Sequence, residues 1–365
     1  MPIAELGYRA WEGDRRGWLA RSLTISRYGI RVTQQNSKLL RRLLWLAWVP
    51  LVYFAPVFFA IGWVANPEND LANAGWLGMI GVELLGEEMV EAVRARPEVL
   101  LPPIWSTAFV LFFAWIQSWL AMLVVTIVGP RLISWDLRGK AFLLYFSKPI
   151  SFWQYLVGKL GIIQYFVLRI SLFPALVLYA ISILLAPNLT TLAKTAPIML
   201  QIVIASLLVT IPVSVVMLVL SSLSKDARFA TFGWIFIWIF GEVTYGALSF
   251  APDMGNGASA VPQWAFLTSI RETAIVATSS AFDLTDRLAN MMSFLRDLGV
   301  QEQFFRNLSD VGGAVGNNID LAQSSVTTGT AVSNPQTPWA LGYLAAVTII
   351  ATIVLRRRVQ KPVSI

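Results

Sequence analysis

Six apolar stretches, separated by polar and charged segments, organise this chain of 365 residues. They cover residues 43–64, 104–128, 160–186, 198–223, 229–250 and 339–355. An α-helix needs about 20 mostly apolar residues to cross the roughly 30 Å of hydrocarbon in a bilayer. The pattern therefore predicts an all-α integral membrane protein with six transmembrane helices.

Several longer segments lie outside these spans. Residues 1–43 mix Tyr, Trp and Leu with basic residues, which is typical of an amphipathic cytoplasmic interface helix or of a partner-docking segment. Residues 76–93 have apolar positions at helical spacing with glutamates between them, which predicts an amphipathic external helix. Residues 264–298 have helical periodicity, whereas residues 311–338 are rich in Gly, Ser, Thr and Asn and predict a loop or a disordered segment.

The distribution of Lys and Arg orients the predicted spans. Residues 1–43, the connections after the second and fourth spans and the C-terminal tail together contain 20 basic and 5 acidic residues. The alternate connections contain 7 basic and 15 acidic residues. Cytoplasmic loops are enriched in Lys and Arg, so both termini are expected in the cytoplasm. This divides the chain into a cytoplasmic interface segment (1–43), five transmembrane helices (44–250), a large external segment between spans five and six (251–338), and the sixth helix with a basic cytoplasmic tail (339–365).

Composition narrows the classes of function. Mean hydropathy is +0.63 and 13 % of the residues are charged, against about 25 % in a typical soluble domain. The net charge of +7 comes from residues beside the spans, where it meets anionic headgroups, so nucleic-acid binding is not expected. The chain has no Cys and no His, which excludes disulfides, thiol nucleophiles, haem ligation through His and the usual zinc sites. We therefore expect no catalytic residue, no metal site and no cofactor in this chain.

Two charged residues fall within the predicted spans. Arg169 lies about nine residues into the third span, and Glu242 lies midway along the fifth. An unpaired charge at that depth costs about 2.5–3.5 kcal/mol on insertion scales, so polar neighbours or water are expected. Arg169 has a long stem that can reach the cytoplasmic surface. For Glu242 three arrangements stay open: a polar cavity, a pair with Arg169, or an early end of the span at Gly241.

The connection after the second span has the most distinctive sequence, GPRLISWDLRGKAFLLYFSKPISFWQYLVGK, from Gly129 to Lys159. Several large apolar side chains in it are available for a contact, namely Trp135, Leu143, Leu144 and Phe146. Three charged residues can reach solvent or a partner, namely Asp136, Arg138 and Lys140. The sequence Lys148-Pro149-Ile150 then interrupts the segment before the next span.

The order of these elements resembles the permease (transmembrane) subunits of type-2 ABC exporters. The matching elements are Ile133-Ser134, Asp136, Gly139, Leu143-Leu144, Ser147, Pro149-Ile150 and Gly158-Lys159. The likeness extends more weakly over all six spans, through Ser224-Lys225-Asp226 and the basic ending after Leu355. The chain departs from the family at Lys140-Ala141, where a small hydroxyl residue often follows the Gly.

The resemblance implies that the segment 129–155 is an ATPase-coupling loop. Its expected contact residues are Ser134, Trp135, Asp136, Arg138, Gly139, Leu143, Phe146 and Pro149. It also implies two paired permeases, this chain with a second copy or a relative, and a cytosolic ABC ATPase subunit that binds ATP and Mg²⁺. The chain has no GxxxxGK[ST] element, so ATP hydrolysis is expected in that other subunit.

The implied function is export or extraction of a substrate across the cytoplasmic (inner) membrane of a prokaryote by a multi-pass permease. One alternative is a structural or regulatory membrane module of an ABC-like complex without net transport. A second alternative is a membrane-bound enzyme, which the absence of His, Cys and a carboxylate cluster within a span disfavours.

Overall fold

The computed structural model describes residues 17–70, 75–141, 150–249, 264–299, 313–328 and 334–360, whose regular structure is helical and without a β-strand. Six helices in these ranges are long and apolar enough to cross a membrane. They are Lys38–Ala65, Pro97–Arg138, Phe152–Leu184, Leu189–Leu223, Ala227–Leu248 and Gln336–Val359. The prediction of an all-α protein with six spans is confirmed, whereas the orientation of the spans stays a prediction.

In the described residues, sixteen α-helices follow one another along the chain. The first eight are α1 (Trp18–Asn36), α2 (Lys38–Leu46), α3 (Val49–Ala65), α4 (Gly75–Leu85), α5 (Glu87–Ala95), α6 (Pro97–Ile116), α7 (Met122–Val128) and α8 (Pro130–Arg138). A π-helical turn, Gln117–Ala121, joins α6 to α7. The others are α9 (Phe152–Leu184), α10 (Leu189–Thr195), α11 (Pro197–Leu223), α12 (Ala227–Ser249), a 3₁₀ turn (Ala265–Thr268), α13 (Ile270–Ala281), α14 (Leu284–Asp297), α15 (Gly313–Thr328) and α16 (Gln336–Gln360).

The spans differ in how much of their surface the protein itself covers. In the most apolar window of each span, 56 % of the fourth span's residues are buried but only 17 % of those in the fifth and sixth. The second and third spans resemble the fourth, with 50 % and 44 %. The second, third and fourth spans therefore form the centre of the bundle, and the fifth and sixth lie at its edge.

Two apolar clusters fill the bundle, one at each end of the central spans. The first combines α3, α5 and α6 with the second half of α9, the first half of α11, α13 and α14. The second combines α2, α7 and α8 with the first half of α9, the second half of α11, α12 and the last turns of α16. Helices α9 and α11 belong to both clusters, so they connect the two ends; we call the end containing α8 the α8 end.

The N-terminal helix α1 packs along the beginning of α9. Glycines permit this approach, because a Cβ atom at Gly158 would lie 2.8 Å from Ile25 and one at Gly161 would lie 2.5 Å from Ser26 Oγ. Ser26 Oγ also donates a hydrogen bond of 2.8 Å to the Gly158 carbonyl. A helix is thus present within the segment 1–43 and packs against the third span, whereas its place in the cytoplasmic interface stays a prediction and residues 1–16 lie outside the described residues.

Two expectations outside the spans are corrected. The single external helix predicted over 76–93 is two helices, α4 and α5, because Gly86 adopts a φ of +85° and ends the first of them. The loop or disordered segment predicted over 311–338 contains the helix α15 and the beginning of α16. Helix α15 packs on α14 and α13, so tertiary contacts stabilise a helix whose local composition does not favour one.

The segment 251–338 is not separate from the spans. Helix α13 packs against α6, α11 and α16, and most of its residues are buried. A close approach occurs at Gly241 of α12, where a Cβ atom would lie 2.5 Å from the Thr268 carbonyl oxygen. The described part of the segment thus packs α13 against the spans, whereas the external location of the segment stays a prediction.

Candidate functional site

Helix α8 continues the second span and is hydrogen-bonded to the fourth. Ser221 Oγ, near the end of α11, accepts bonds from the backbone N–H groups of Ile133 and Ser134 at 3.0 and 3.1 Å. The same hydroxyl donates to the Pro130 carbonyl at 2.7 Å. Gly129 and Pro130 interrupt the helix between α7 and α8, and Ser221 satisfies backbone groups near this interruption. The beginning of α8 is therefore fixed to α11.

An ion pair fixes α8 to the third span as well. Lys159 Nζ lies 2.7 Å from Asp136 Oδ2, and the two side chains are only 10 % and 14 % exposed. The ammonium also donates to the Leu132 carbonyl at 2.7 Å, and Tyr155 Oη donates to Asp136 Oδ2 at 2.7 Å. Each charge therefore has an opposite charge and a hydrogen-bond partner, as burial requires.

The remaining surface of α8 is exposed. The Trp135 side chain is 47 % exposed, and the Arg131 guanidinium lies over its ring at 5.5 Å. Arg138, Gly139 and Lys140 follow on the same exposed end. Lys140, just after the helix, has a φ of +49°, which lies in the left-handed region of backbone conformation. Glycine usually occupies that region, but here the adjacent Gly139 does not. This end of α8 carries apolar and cationic side chains toward the surroundings.

The structure separates the predicted contact residues into three groups. Trp135, Arg138 and Gly139 are exposed and available to a partner. Ser134 is fully buried, and Asp136 faces Lys159 with its side chain only 14 % exposed, so a contact of either residue with a partner stays a prediction. The other three predicted contact residues, Leu143, Phe146 and Pro149, lie outside the described residues.

Arg169 and Glu242 are not paired with each other, and each has a different partner. Arg169 is exposed, and its Nη1 donates to Tyr165 Oη at 3.4 Å, one turn toward the start of α9. Glu242 accepts a bond of 2.6 Å from Ser269 Oγ, and its Oε2 lies 3.8 Å from Arg271 Nη1. Helix α12 continues through Gly241 to Ser249, so the span does not end early.

Arg271 lies between two carboxylates at the start of α13. Its Nη2 is 3.8 Å from Glu272 Oε1, and Glu272 is buried. Ser269 also caps α13, because its Oγ accepts the Glu272 backbone N–H at 3.1 Å. Glu242 therefore lies beside the polar beginning of a helix that is itself inserted among the spans. The sequence did not predict this neighbour, since 27 residues separate Ser269 from Glu242.

A second polar cluster connects α14 to α6 and α11. Arg287 donates to Ser106 Oγ at 2.7 Å and to Gln201 Oε1 at 3.0 Å, and Gln201 donates to Asp283 at 3.3 Å. Burial lowers the pKa of the Arg287 guanidinium, and the charge of Asp283 opposes that shift. These contacts satisfy one another and fix α14 to the spans, so we regard them as structural.

The described ranges contain no group of three or more acidic side chains positioned to hold a metal ion. The most distinctive arrangement is therefore α8, with its two buried attachments and its exposed Trp135. No known protein family model, no curated protein and no solved structure matches this chain.

Proposed function

We propose that this chain is the membrane-spanning permease subunit of an ATP-binding-cassette transporter, similar to type-2 ABC exporters. It couples ATP hydrolysis by a separate cytosolic ATPase subunit to export or extraction of a substrate. A second permease, identical or related, completes the complex in the cytoplasmic membrane of a prokaryote. ATP and Mg²⁺ belong to the ATPase subunit.

One observation supports this proposal most strongly: an exposed Trp135 lies on a helix that is fixed to three spans. Helix α8 continues the second span, is paired with the third through Asp136–Lys159, and is hydrogen-bonded to the fourth through Ser221. A force applied to α8 therefore acts on the three central spans together. That is the mechanical requirement for a subunit that converts a partner's movement into a change of the bundle.

The exposed end of α8 also has the chemistry of an interface. Trp and Arg are enriched among residues that dominate binding energy at protein interfaces. Arg131 lies over the Trp135 ring, so the aromatic surface and a cation lie side by side. The proposal assigns the exposed Trp135 ring and Arg138 to contact with the ATPase.

Replacing Trp135 tests the proposed docking surface. We expect Trp135→Ala to weaken assembly with the co-purifying ATPase by about 2 kcal/mol, or about thirtyfold in affinity, because a central aromatic contact is lost. The measurement is recovery of the ATPase with the tagged permease, together with ATP turnover in membranes. Trp76→Ala, which removes an exposed Trp from α4, is the matched control. Unchanged recovery and turnover in Trp135→Ala would remove the main support for the proposal.

A reporter fusion tests the orientation. We expect a reporter that functions only in the cytoplasm to be active when fused to the C-terminus and inactive when inserted within 300–310. The physical reason is that cytoplasmic loops carry an excess of Lys and Arg, and the basic residues of this chain are concentrated at the α8 end. Protease accessibility from the outside should show the reverse order. With six spans, an externally located C-terminus would reverse the predicted orientation and place α8 beyond the reach of a cytosolic ATPase.

A further inference from the structure

A cleft of about 370 Å³ lies between α1, α8 and the beginning of α9. Its volume falls within the range of small-molecule sites, which begins at about 300 Å³. Aliphatic side chains from four helices form its floor: Ile25 and Val32 of α1, Ile127 and Val128 of α7, Leu132 of α8 and Ile162 of α9. The lining of the cleft is therefore largely apolar, with polar and charged residues beside it.

Amphipathic aromatic residues lie at the edges of this cleft. The Tyr28 side chain is 71 % exposed and lines the α1 side, and Trp135 lines the α8 side. Tyr and Trp concentrate at the level of lipid headgroups, because one end of each side chain is polar and the rest is apolar. The cleft thus combines an apolar floor with amphipathic edges, and a phospholipid has the same combination of an apolar chain and a polar headgroup.

The charge balance of the cleft favours an anion. Lys159 and Asp136 line it, but they are paired at 2.7 Å and neutralise each other. Arg131 also lines it and has no carboxylate partner among the described residues. Residues 17–46, which form α1 and α2, carry six basic residues and no acidic one: Arg21, Arg27, Arg31, Lys38, Arg41 and Arg42. The net field around the cleft is therefore positive.

We propose that this cleft binds an anionic phospholipid. The phosphate pairs with Arg131 between the two aromatic edges, and one acyl chain lies along the aliphatic floor. A lipid fits better than a soluble ligand, because Val128 and Ile162 belong to helices that are long and apolar enough to cross a membrane. The proposal goes beyond the transport function and requires only that the chain lies in a membrane.

Lipid binding to the purified full-length chain tests this site. The measurement is native mass spectrometry of the chain in detergent with added phosphatidylglycerol, or with phosphatidylcholine of the same acyl chains. We expect preferential binding of phosphatidylglycerol and about fivefold to tenfold weaker binding in Arg131→Gln. Arg27→Gln is the matched control, since Arg27 is exposed on α1 but does not line the cleft, and its charge should matter less than about twofold.

A cleft-filling variant separates a lipid from other occupants. We expect Thr33→Phe to reduce phosphatidylglycerol binding while Arg27→Gln and the wild type retain it, because Thr33 lines the cleft. Equal losses in Arg131→Gln and Arg27→Gln would show a diffuse surface charge and overturn the proposal. Equal competition by glycerol 3-phosphate would show a phosphate site without an acyl chain and overturn it too. A third result would also overturn the proposal. If Thr33→Phe left lipid binding unchanged but reduced recovery of the ATPase, the cleft would be assigned to a protein partner.

Discussion

Replacing Lys159 with methionine is expected to lower the free energy of unfolding by about 3–5 kcal/mol, the usual cost of removing one partner from a buried ion pair. The side chains of Lys159 and Asp136 are 10 % and 14 % exposed, so water screens neither charge well. In Lys159→Met the Asp136 carboxylate keeps only its hydrogen bond from Tyr155, and the Leu132 carbonyl loses its ammonium donor. Both losses fall at the junction of α8 and α9.

A double variant distinguishes the ion pair from a general packing defect. We expect Asp136→Asn combined with Lys159→Met to recover a large part of the stability, because no unpaired charge then stays buried. Lys38→Met, which removes an exposed lysine from α2, should change stability by less than about 0.5 kcal/mol. The measurement is unfolding of the purified protein by sodium dodecyl sulfate in mixed micelles. Similar midpoints for Lys159→Met and Lys38→Met would contradict a buried pair.

The same contact changes how a charge reversal in α8 must be interpreted. Asp136→Arg would bring a second cation against Lys159, so any loss of ATPase recovery would follow from disrupted local structure. Trp135 is free of that ambiguity, because its side chain is exposed and only Arg131 lies over its ring. Trp135 is therefore the appropriate test of docking, and Asp136 is a positioning residue for α8.

The second large effect is expected at Glu242. We expect Glu242→Lys to lower the free energy of unfolding by about 3 kcal/mol, because a cation within a span then faces Arg271, and Glu272 is the one carboxylate left beside the two cations. Glu242→Gln should cost about 1 kcal/mol or less. The amide oxygen can still accept the Ser269 hydroxyl, and the ion pair that is lost has a distance of 3.8 Å to a partly exposed Arg271.

The yield of monodisperse folded protein and its unfolding midpoint measure both Glu242 variants. Glu68→Lys makes the same charge reversal at an exposed residue of the connection between α3 and α4, and it should leave both quantities near the wild-type values. If Glu242→Lys were recovered as well as Glu68→Lys, the site would be accessible to water, and the contact with α13 would not stabilise the fifth span.

The number and composition of the spans were predictable from the sequence. Each span is a long apolar run whose length must match the hydrocarbon thickness, and this constraint acts locally along the chain. The predicted second span began at residue 104, whereas its helix begins at Pro97 and includes Pro102 and Pro103. The distinctive order of residues 129–159 was likewise visible in the sequence, and the first part of this segment forms α8, which continues that span.

Tertiary structure alone decided which polar residues meet. Asp136 and Arg138 look equally available in the sequence, but α8 packs so that Asp136 faces Lys159 and Arg138 faces outward. Glu242 finds Ser269 and Arg271 because α13 returns among the spans. The hydropathy of a span depends on residues that are close in sequence. A buried charge, by contrast, is stable only beside an opposite charge or a hydrogen-bond partner. That partner comes from helices that are distant in sequence, so only their packing decides which residue it is.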